Sequence, residues 1–447
     1  MGIFANPLTD LLEYEDFSRD FLKGTDPVGM TGCIDSEKVH FMSTFLGEKK
    51  VQLVVTYNEQ RAREIEEDYK LFCSQVYVIP PRDLIFFSAD LQGNAIIAER
   101  MKAFAALYQN EAKVIITTMD ALMSAAVPFE QLMSHVIKLK EGDELDLEKL
   151  KHDLTVMGYE RVGRVEEPGQ FTVHGGIADV YPLTMEVPVR IELWGDEIDT
   201  IRCFEPQSQR SMDQIECVSV FPAAEVIADD TARRRAAGMI QNELESQLAV
   251  FKKAKEPDKA KRLREETNRI LEALGEDVVL EAPDSYISYF YPRTVQLSEY
   301  FDEKNTLVFL DEPMRLKERG DGVQAEFEES MKNRLEQGFL LPGQTALLTP
   351  AKHVLAAFER GQVAALSSLD SRLADFTVVN SYAVNVQNMN TYREGFELLI
   401  KDLTHWKKEK YRIVLLCPSR TRANRIVNQL IEYDLLAYYS EDEDKKI

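Results

Sequence analysis

The chain has 447 residues, 45% of them apolar and 29% charged. That is the composition of a folded chain, and at roughly 150 residues per domain it suggests about three domains. With 53 Lys and Arg against 76 Asp and Glu the net charge is −23, which argues against a general nucleic-acid coat but leaves room for a local basic patch. No run of about 18 apolar residues occurs, and the acidic start MGIFANPLTDLLEYEDF lacks the apolar core of a signal peptide. A membrane span is therefore not expected, and a cytoplasmic location is. The five cysteines (Cys33, Cys73, Cys203, Cys217, Cys417) lie far apart with no CxxC pair, the pattern of reduced thiols. The six histidines are scattered without HExxH, so no metal site is expected.

Residues 1–135 read as the first part of an α/β domain. VGMTGCIDSEK (Val28–Lys38) has the outline of a phosphate loop without its chemistry. In G-x-x-x-x-G-K-[ST] the second Gly opens the backbone to phosphate, the Lys neutralises it and the hydroxyl holds Mg²⁺. Laid over Gly29, the pattern puts Ile34 at the second Gly, Asp35 at the Lys and Ser36 at the hydroxyl, with Gly32 inside the loop. A branched side chain and a negative charge stand where an open backbone and a cation are needed. From spacing alone, a degenerate nucleotide loop and an ordinary Gly-containing turn both remain open. VQLVVTY (Val51–Tyr57) is a strand-length apolar run, with Asn58 as a cap for the next helix. QVYVIP is a second strand, 94–108 a helix and KVIITT (Lys113–Thr118) a third buried strand. Strands alternating with helices imply a parallel sheet covered on both faces.

The pattern changes at 136–222, where short Gly-punctuated segments alternate with period two, as in VPVRIELWGDEIDTIRCF. This reads as an inserted β-rich domain. The α/β domain resumes over 223–378. Its basic stretch Lys252–Arg264 reads either as a DNA-backbone contact or as a solvated face balanced by Glu256, Asp258, Glu265 and Glu266. TLVFLDEP (Thr306–Pro313) is a buried strand that returns to the first sheet. Asp311 and Glu312 at its end read either as a Mg²⁺-binding pair or as a solvated strand end. Residues 379–447 read as a small α/β domain. Its strand is Tyr411–Ser419, Ser419 caps a helix with the apolar stripe Ala423, Ile426, Val427, Leu430 and Ile431, and LLAYY starts another strand. The halt in SEDEDKKI just after that start suggests a piece of a longer polypeptide.

Within the β domain, alternation puts Val189, Ile191 and Leu193 on the core side and Arg190, Glu192 and Trp194 outside. Gly195-Asp196 suits a two-residue turn, which sets Ile201 opposite Arg190 on the outer face. An outward Trp beside an Arg is either a binding anchor or a ring tucked under a neighbouring loop.

EEPGQFTVHGGIADVYPL followed by VPVRIELWGDEIDTIRCFEPQSQRS resembles the second domain shared by the excision-repair protein UvrB and the transcription-repair coupling factors (Mfd). Gly169, Gly175, Gly176, Asp179, Pro182, Arg190, Asp196, Asp199, Arg202, Ser208, Gln209 and Arg210 carry the match over about sixty residues. The order of the flanking segments also fits. UvrB keeps an intact phosphate loop and a long damage-clamping hairpin. Here the loop is broken, and only Arg82–Gly93 links strand to helix. The chain thus looks like the N-terminal UvrB-homology region of the coupling factors.

The resemblance implies a degenerate P-loop helicase-like parallel-sheet domain with an inserted small β-rich α+β domain and a C-terminal small α/β domain. It implies a non-catalytic module, without catalytic residues or cofactor, that binds UvrA through Arg190, Trp194, His174 and Ile201 and so brings excision repair to stalled RNA polymerase. His174 stands where the family often has Arg, which weakens its charge near pH 7. RNA polymerase and DNA contacts, and ATP with Mg²⁺ in a translocase motor, are assigned to a missing C-terminal part, which in a further reading also masks the β domain. The alternative is a UvrB-type ATP-dependent damage-recognition helicase subunit.

Overall fold

In the computed structural model of the chain, the described residues are 13–48, 50–82, 92–275, 283–369, 376–387, 395–417 and 419–441, with 8, 11, 280, 389 and 392; at 36 and 92–94 the backbone alone is described. Most of the Arg82–Gly93 connection, residues 83–91, lies outside the described residues.

In chain order the strands begin with β1 (Val28–Thr31), β2 (Val51–Thr56), β3 (Val76–Ile79), β4 (Val114–Thr118) and the short β5 (Ala125–Ala126). Then come β6 (Ile137–Lys140), β7 (Glu160–Arg161), β8 (Gln170–His174), β9 (Ile177–Val180), β10 (Val189–Trp194), β11 (Glu197–Phe204), β12 (Ser211–Gln214) and β13 (Cys217–Val220). The last four are β14 (Val295–Gln296), β15 (Thr306–Asp311), β16 (Val363–Ser367) and β17 (Asn380–Ala383).

Seven strands form one sheet in the order β17-β1-β16-β15-β2-β4-β3, with every neighbouring pair parallel. The apolar runs of the central strands are continuous because both faces are covered, whereas the edge strand β17 is mostly exposed. Leu53, Val55, Ile115 and Leu310 face one layer, with Met101, Phe104, Leu316 and Ile270 from the helices above it. The alternate residues Val54, Ile116, Phe309 and Leu366 face the other, with Phe17, Phe21, Phe41 and Ile65. Asn58 caps the helix Glu59–Tyr69 by accepting from the Arg61 N–H at 2.8 Å. The returning strand is β15, all six residues buried, between β16 and β2.

The β-rich domain leaves and rejoins the chain side by side, because β6 and β13 pair antiparallel. Its six-stranded sheet runs β12-β11-β10-β9-β8-β7. The inner face, with Phe171, Val173, Val189 and Ile191, packs against Leu150 and Leu154 of the helix Leu147–Val156. A buried ion pair holds the chain where it re-enters the large domain. Glu225 takes the Arg100 guanidinium on both oxygens, and Arg100 also donates to the Pro80 carbonyl at 2.6 Å. Burial would raise the Glu225 pKa, but the charges of Arg100 and Arg82 outweigh it and hold the carboxyl below its usual range.

Three expectations for the chain beyond 379 need correction. Asn380–Ala383 pairs in parallel with β1, so the large sheet extends past the expected boundary at 378/379. The described part of Tyr411–Ser419 is not a strand, and neither is LLAYY: residues 411–417 and 435–440 have no regular secondary structure and no sheet partner among the described residues. Their apolar composition suits a buried strand, but no neighbouring strand supplies the ladder, and Val414, Leu416 and Leu436 stay exposed. The described unit is instead two helices, Phe396–Lys408 and Arg420–Ile431, over a small cluster of Leu403, Leu430 and Leu435. Ser419 does cap the second helix, accepting from the Arg422 N–H at 3.3 Å.

Removing one partner of a buried ion pair leaves an uncompensated charge, a loss of about 3 kcal/mol or more. Arg100→Met is expected to lower the urea midpoint accordingly, while Lys102→Met, whose pair with Glu186 is exposed, changes it by less than about 0.5 kcal/mol.

Candidate functional site

Two places match the sequence expectations. The first is the loop after β1. Strand, loop and helix follow in the order a phosphate loop requires, with the helix spanning Asp35–Ser43. The loop is closed by the protein itself. Gly32 has φ +82°, and a Cβ there would lie 1.9 Å from the Val384 carbonyl oxygen, just beyond β17. The Val384 N–H donates to Thr31 O at 2.9 Å, and the Cys33 N–H donates to Ser367 O at 3.3 Å. One loop N–H, that of Cys33, is therefore spent on a carbonyl, and the Val384 carbonyl occupies the space beside Gly32.

The missing cation is present one helical turn later. Lys38 Nζ is buried and donates to Asp311 Oδ1 and to Glu312 Oε1, both at 2.7 Å. Asp311 also accepts from Thr56 Oγ1 at 2.9 Å and from Arg61 Nε at 3.3 Å. Burial would lower the Lys38 pKa, but Asp311 and Glu312 raise it overall. Burial would raise that of Glu312, but the Lys38 hydrogen bond lowers it overall. Asp311 and Glu312 are thus neither a solvated strand end nor free metal ligands. Asp35 is exposed at the helix start, 3.6 Å from Arg61, and Ile34 precedes it as a cap residue without a side-chain bond. The side chain of Ser36 lies outside the described residues. Gly29 sits within β1. Lys38 and Arg61 went unassigned in the sequence reading. The available signal was the helical spacing, which sets Lys38 one turn beyond Asp35 on the same side.

The second place is the outer face of the six-stranded sheet. Trp194 pairs with Glu197 across the turn Gly195-Asp196, with Gly195 at φ +67°. One step down, the register shifts at a bulge between Glu192 and Leu193. The extra residue on β11 puts Arg202, not Ile201, opposite Arg190. Ile201 therefore turns inward and is fully buried, so it is withdrawn as a contact residue. Four strands now align Arg202, Arg190, Asp179 and Thr172 in one outer row, and Thr200, Glu192, Ile177 and His174 in the next.

The two ends of this face differ. At one end Arg190 is already engaged. It donates from Nε and Nη2 to both oxygens of Asp179 at 2.8 and 2.7 Å, and from Nη2 to Gln209 Oε1 at 3.3 Å. Its guanidinium lies 4.7 Å over the Phe204 ring. Gln209, at φ +60°, is anchored on the Val165 and Pro206 carbonyls. Arg190 is thus not a free fork, contrary to its outward position in the alternation. At the other end Trp194 is 84% exposed, and Ile177 (40%) and His174 are exposed on the same face. Trp194 is not tucked under a loop. Beside the locked Arg190, Arg202 has a buried Nε without a hydrogen-bond partner, and its guanidinium has no carboxylate partner among the described residues. Ile177 was not singled out from sequence, and Arg202 was named only among the residues that carry the family match, not as a contact; the bulge that places Arg202 leaves no mark in the alternation. The basic stretch Lys252–Arg264 is partly balanced locally, by Lys259–Glu256 and Lys261–Glu265, and Arg262 lies over the Phe339 ring.

Lys38→Met leaves Asp311 and Glu312 with a deficit of buried positive charge and is expected to cost about 3 kcal/mol in urea unfolding. The Glu312 pKa is depressed by folding, so its contribution is full above its ordinary value and fades as pH falls through the native one. That acid limb should flatten in Lys38→Met. In the β domain, Arg190→Ala strands Asp179, only 6% exposed, and is expected to cost about 2 kcal/mol, whereas Trp194→Ala changes the melting temperature little. Thermal melts followed by circular dichroism read both.

Residues 137–225 match the family described as the UvrB interaction domain. Over nearly its whole length the chain is similar to transcription-repair-coupling factors. It is 27% identical over 439 residues to that of Bacillus subtilis (strain 168), covering 97% of this chain and 37% of the relative. It is 28% identical over 432 residues to that of Staphylococcus haemolyticus (strain JCSC1435), covering 92% and 35%. For Staphylococcus aureus (strain USA300) the figures are 25% over 443 residues, 97% and 36%. The chain spans little more than a third of the length of these relatives. Its inserted β domain matches the UvrB interaction domain family, within a chain that is similar over nearly its whole length to transcription-repair-coupling factors.

Proposed function

We propose that this chain is a non-catalytic, UvrB-like module of a transcription-repair coupling factor. Through the outer face of its β domain it recruits UvrA, and with it nucleotide excision repair, to RNA polymerase stalled at DNA damage. The observation that carries this reading is Trp194, 84% exposed on a rigid sheet within the matched domain. A large exposed ring costs solubility unless a partner covers it, and Trp is among the side chains most enriched in interface hot spots. Ile177 and His174 extend its apolar and polar surroundings. Arg202 supplies a guanidinium without an internal carboxylate, suited to an acidic group on UvrA. Arg190, held by Asp179 and paired in register with Arg202, contributes at the margin of the contact.

We infer further that the large sheet is a P-loop helicase-like fold that does not use nucleotide. The Val384 carbonyl against Gly32 and the Lys38 pair with Asp311 and Glu312 leave no cradle for a phosphate chain, which weighs against a UvrB-type helicase subunit. ATP and Mg²⁺, the DNA translocase activity and the RNA polymerase contact belong, in this reading, to parts of the parent protein beyond this chain. So would an intramolecular contact that masks the β domain. A cytoplasmic location accords with these partners.

Surface plasmon resonance against immobilised UvrA tests the reading. Trp194→Ala is expected to weaken binding by about thirtyfold, equivalent to roughly 2 kcal/mol, with an unchanged melting temperature. Arg202→Ala should weaken it without loss of stability, and His174→Ala should do so less. Wild-type affinity in a folded Trp194→Ala protein would sink the assignment. Calorimetric titration with Mg-ATP should give no heat at submillimolar nucleotide; a one-site isotherm there would restore the helicase reading.

A further inference from the structure

We propose that the exposed face of the helix Arg420–Ile431 binds the sugar–phosphate backbone of double-stranded DNA. The local charge is opposite to that of the chain. Between residues 401 and 431 eight Lys and Arg stand against two Asp and Glu, in a chain of net charge −23. Such a concentration in an acidic protein is costly by self-repulsion unless an anion uses it.

The helix is amphipathic in a specific way. Ala423 and Leu430 are buried, and Leu430, with Ile426 beside it, packs in the cluster with Leu403 and Leu435. The opposite side is a polar stripe of Arg420, Thr421, Asn424, Arg425, Asn428 and Gln429, which line one open depression that Glu432 closes at the C-terminal end. The cations on this side are not spent on internal pairs. Arg422 and Arg425 are exposed and carry no ion pair among the described residues. Arg420 lies 5.9 Å from the Tyr439 ring, a contact that leaves its N–H groups available. This differs from the other basic helix, where Lys259 and Lys261 have Glu partners one turn away.

The mixture of side chains identifies the ligand chemistry. Arg, Asn, Gln and Thr are the side chains that donate to phosphate oxygens, and a helix N-terminus adds its own N–H groups to them. Ser419 and Arg420 open that N-terminus toward the same end of the stripe. At about 1.5 Å per residue the helix is roughly 18 Å long, enough to follow several phosphates of one duplex strand. The stripe contains no aromatic ring. Proteins that hold single strands stack bases on aromatic side chains, so a duplex is the better fit. Donors to phosphate oxygens carry no base information, so binding is independent of sequence.

Fluorescence anisotropy of the full chain with a labelled 30-base-pair DNA duplex at ~50 mM salt tests the assignment, with affinity expected in the micromolar range typical of non-specific binding. The double variant Arg422→Ala/Arg425→Ala, which keeps helix propensity, is expected to bind at least tenfold more weakly and to lower the salt slope by about two. Lys261→Ala/Arg264→Ala should bind as wild type. The assignment is overturned by absent wild-type binding, by an unaffected Arg422/Arg425 variant that melts normally, or by an equal loss in the Lys261/Arg264 variant. Tighter binding of an RNA duplex of the same length would overturn the choice of DNA.

Discussion

A single buried ammonium joins two stretches of chain 273 residues apart, and the architecture of the large domain depends on it. Lys38 belongs to the helix after β1, Asp311 ends β15, the large-sheet strand that follows the inserted domain, and Glu312 comes next in the chain. The pair therefore closes the large sheet around the insertion. A buried ion pair adds little net stability when compared with well-packed apolar side chains, but it is intolerant of losing one member. That intolerance is what makes it a constraint. The same geometry engages both carboxylates internally. Arg61 and Thr56 complete the saturation of Asp311.

The β domain repeats this logic on a smaller scale and with the opposite result. Arg190 is consumed by Asp179, Gln209 and the Phe204 ring, and this packs one end of the outer face under the loop that carries Gln209. The other end is left bare. Trp194 stands there on a tight turn whose backbone is fixed by Gly195 and by the flanking ladder. A rigid, exposed aromatic ring loses little conformational entropy on binding, which suits it to anchor a partner. The same outer face is thus locked at one end and exposed at the other. The Arg100–Glu225 pair, set where the chain rejoins the large domain, fixes the base from which this face is presented.

Much of the fold was legible because burial writes itself into periodicity. The continuous apolar runs at Val51–Thr56, Val114–Thr118 and Thr306–Asp311 could only be strands covered on both faces, and they pair in one parallel sheet. The alternation around Val189–Leu193 and the Gly195-Asp196 turn correctly placed Trp194 outside. The stretch Tyr411–Ser419 had the same apolar signature and failed. A strand needs a neighbour to complete its hydrogen bonds, and composition cannot say whether one is present.

What the sequence determined by itself was local: which segments bury which faces, where helices are capped, and that the loop after β1 lacks the Gly and Lys of a phosphate site. Those follow from side-chain size, branching and charge over a few neighbouring residues. The tertiary structure decided everything that depends on distant partners or on register. Lys38 could be recognised as the replacement cation only when β15 came alongside, and Arg190 as occupied only when β9 supplied Asp179. A single extra residue in β11 moved Ile201 into the core and brought Arg202 to the surface, because the side-chain period of a strand is two and one inserted residue inverts every position beyond it.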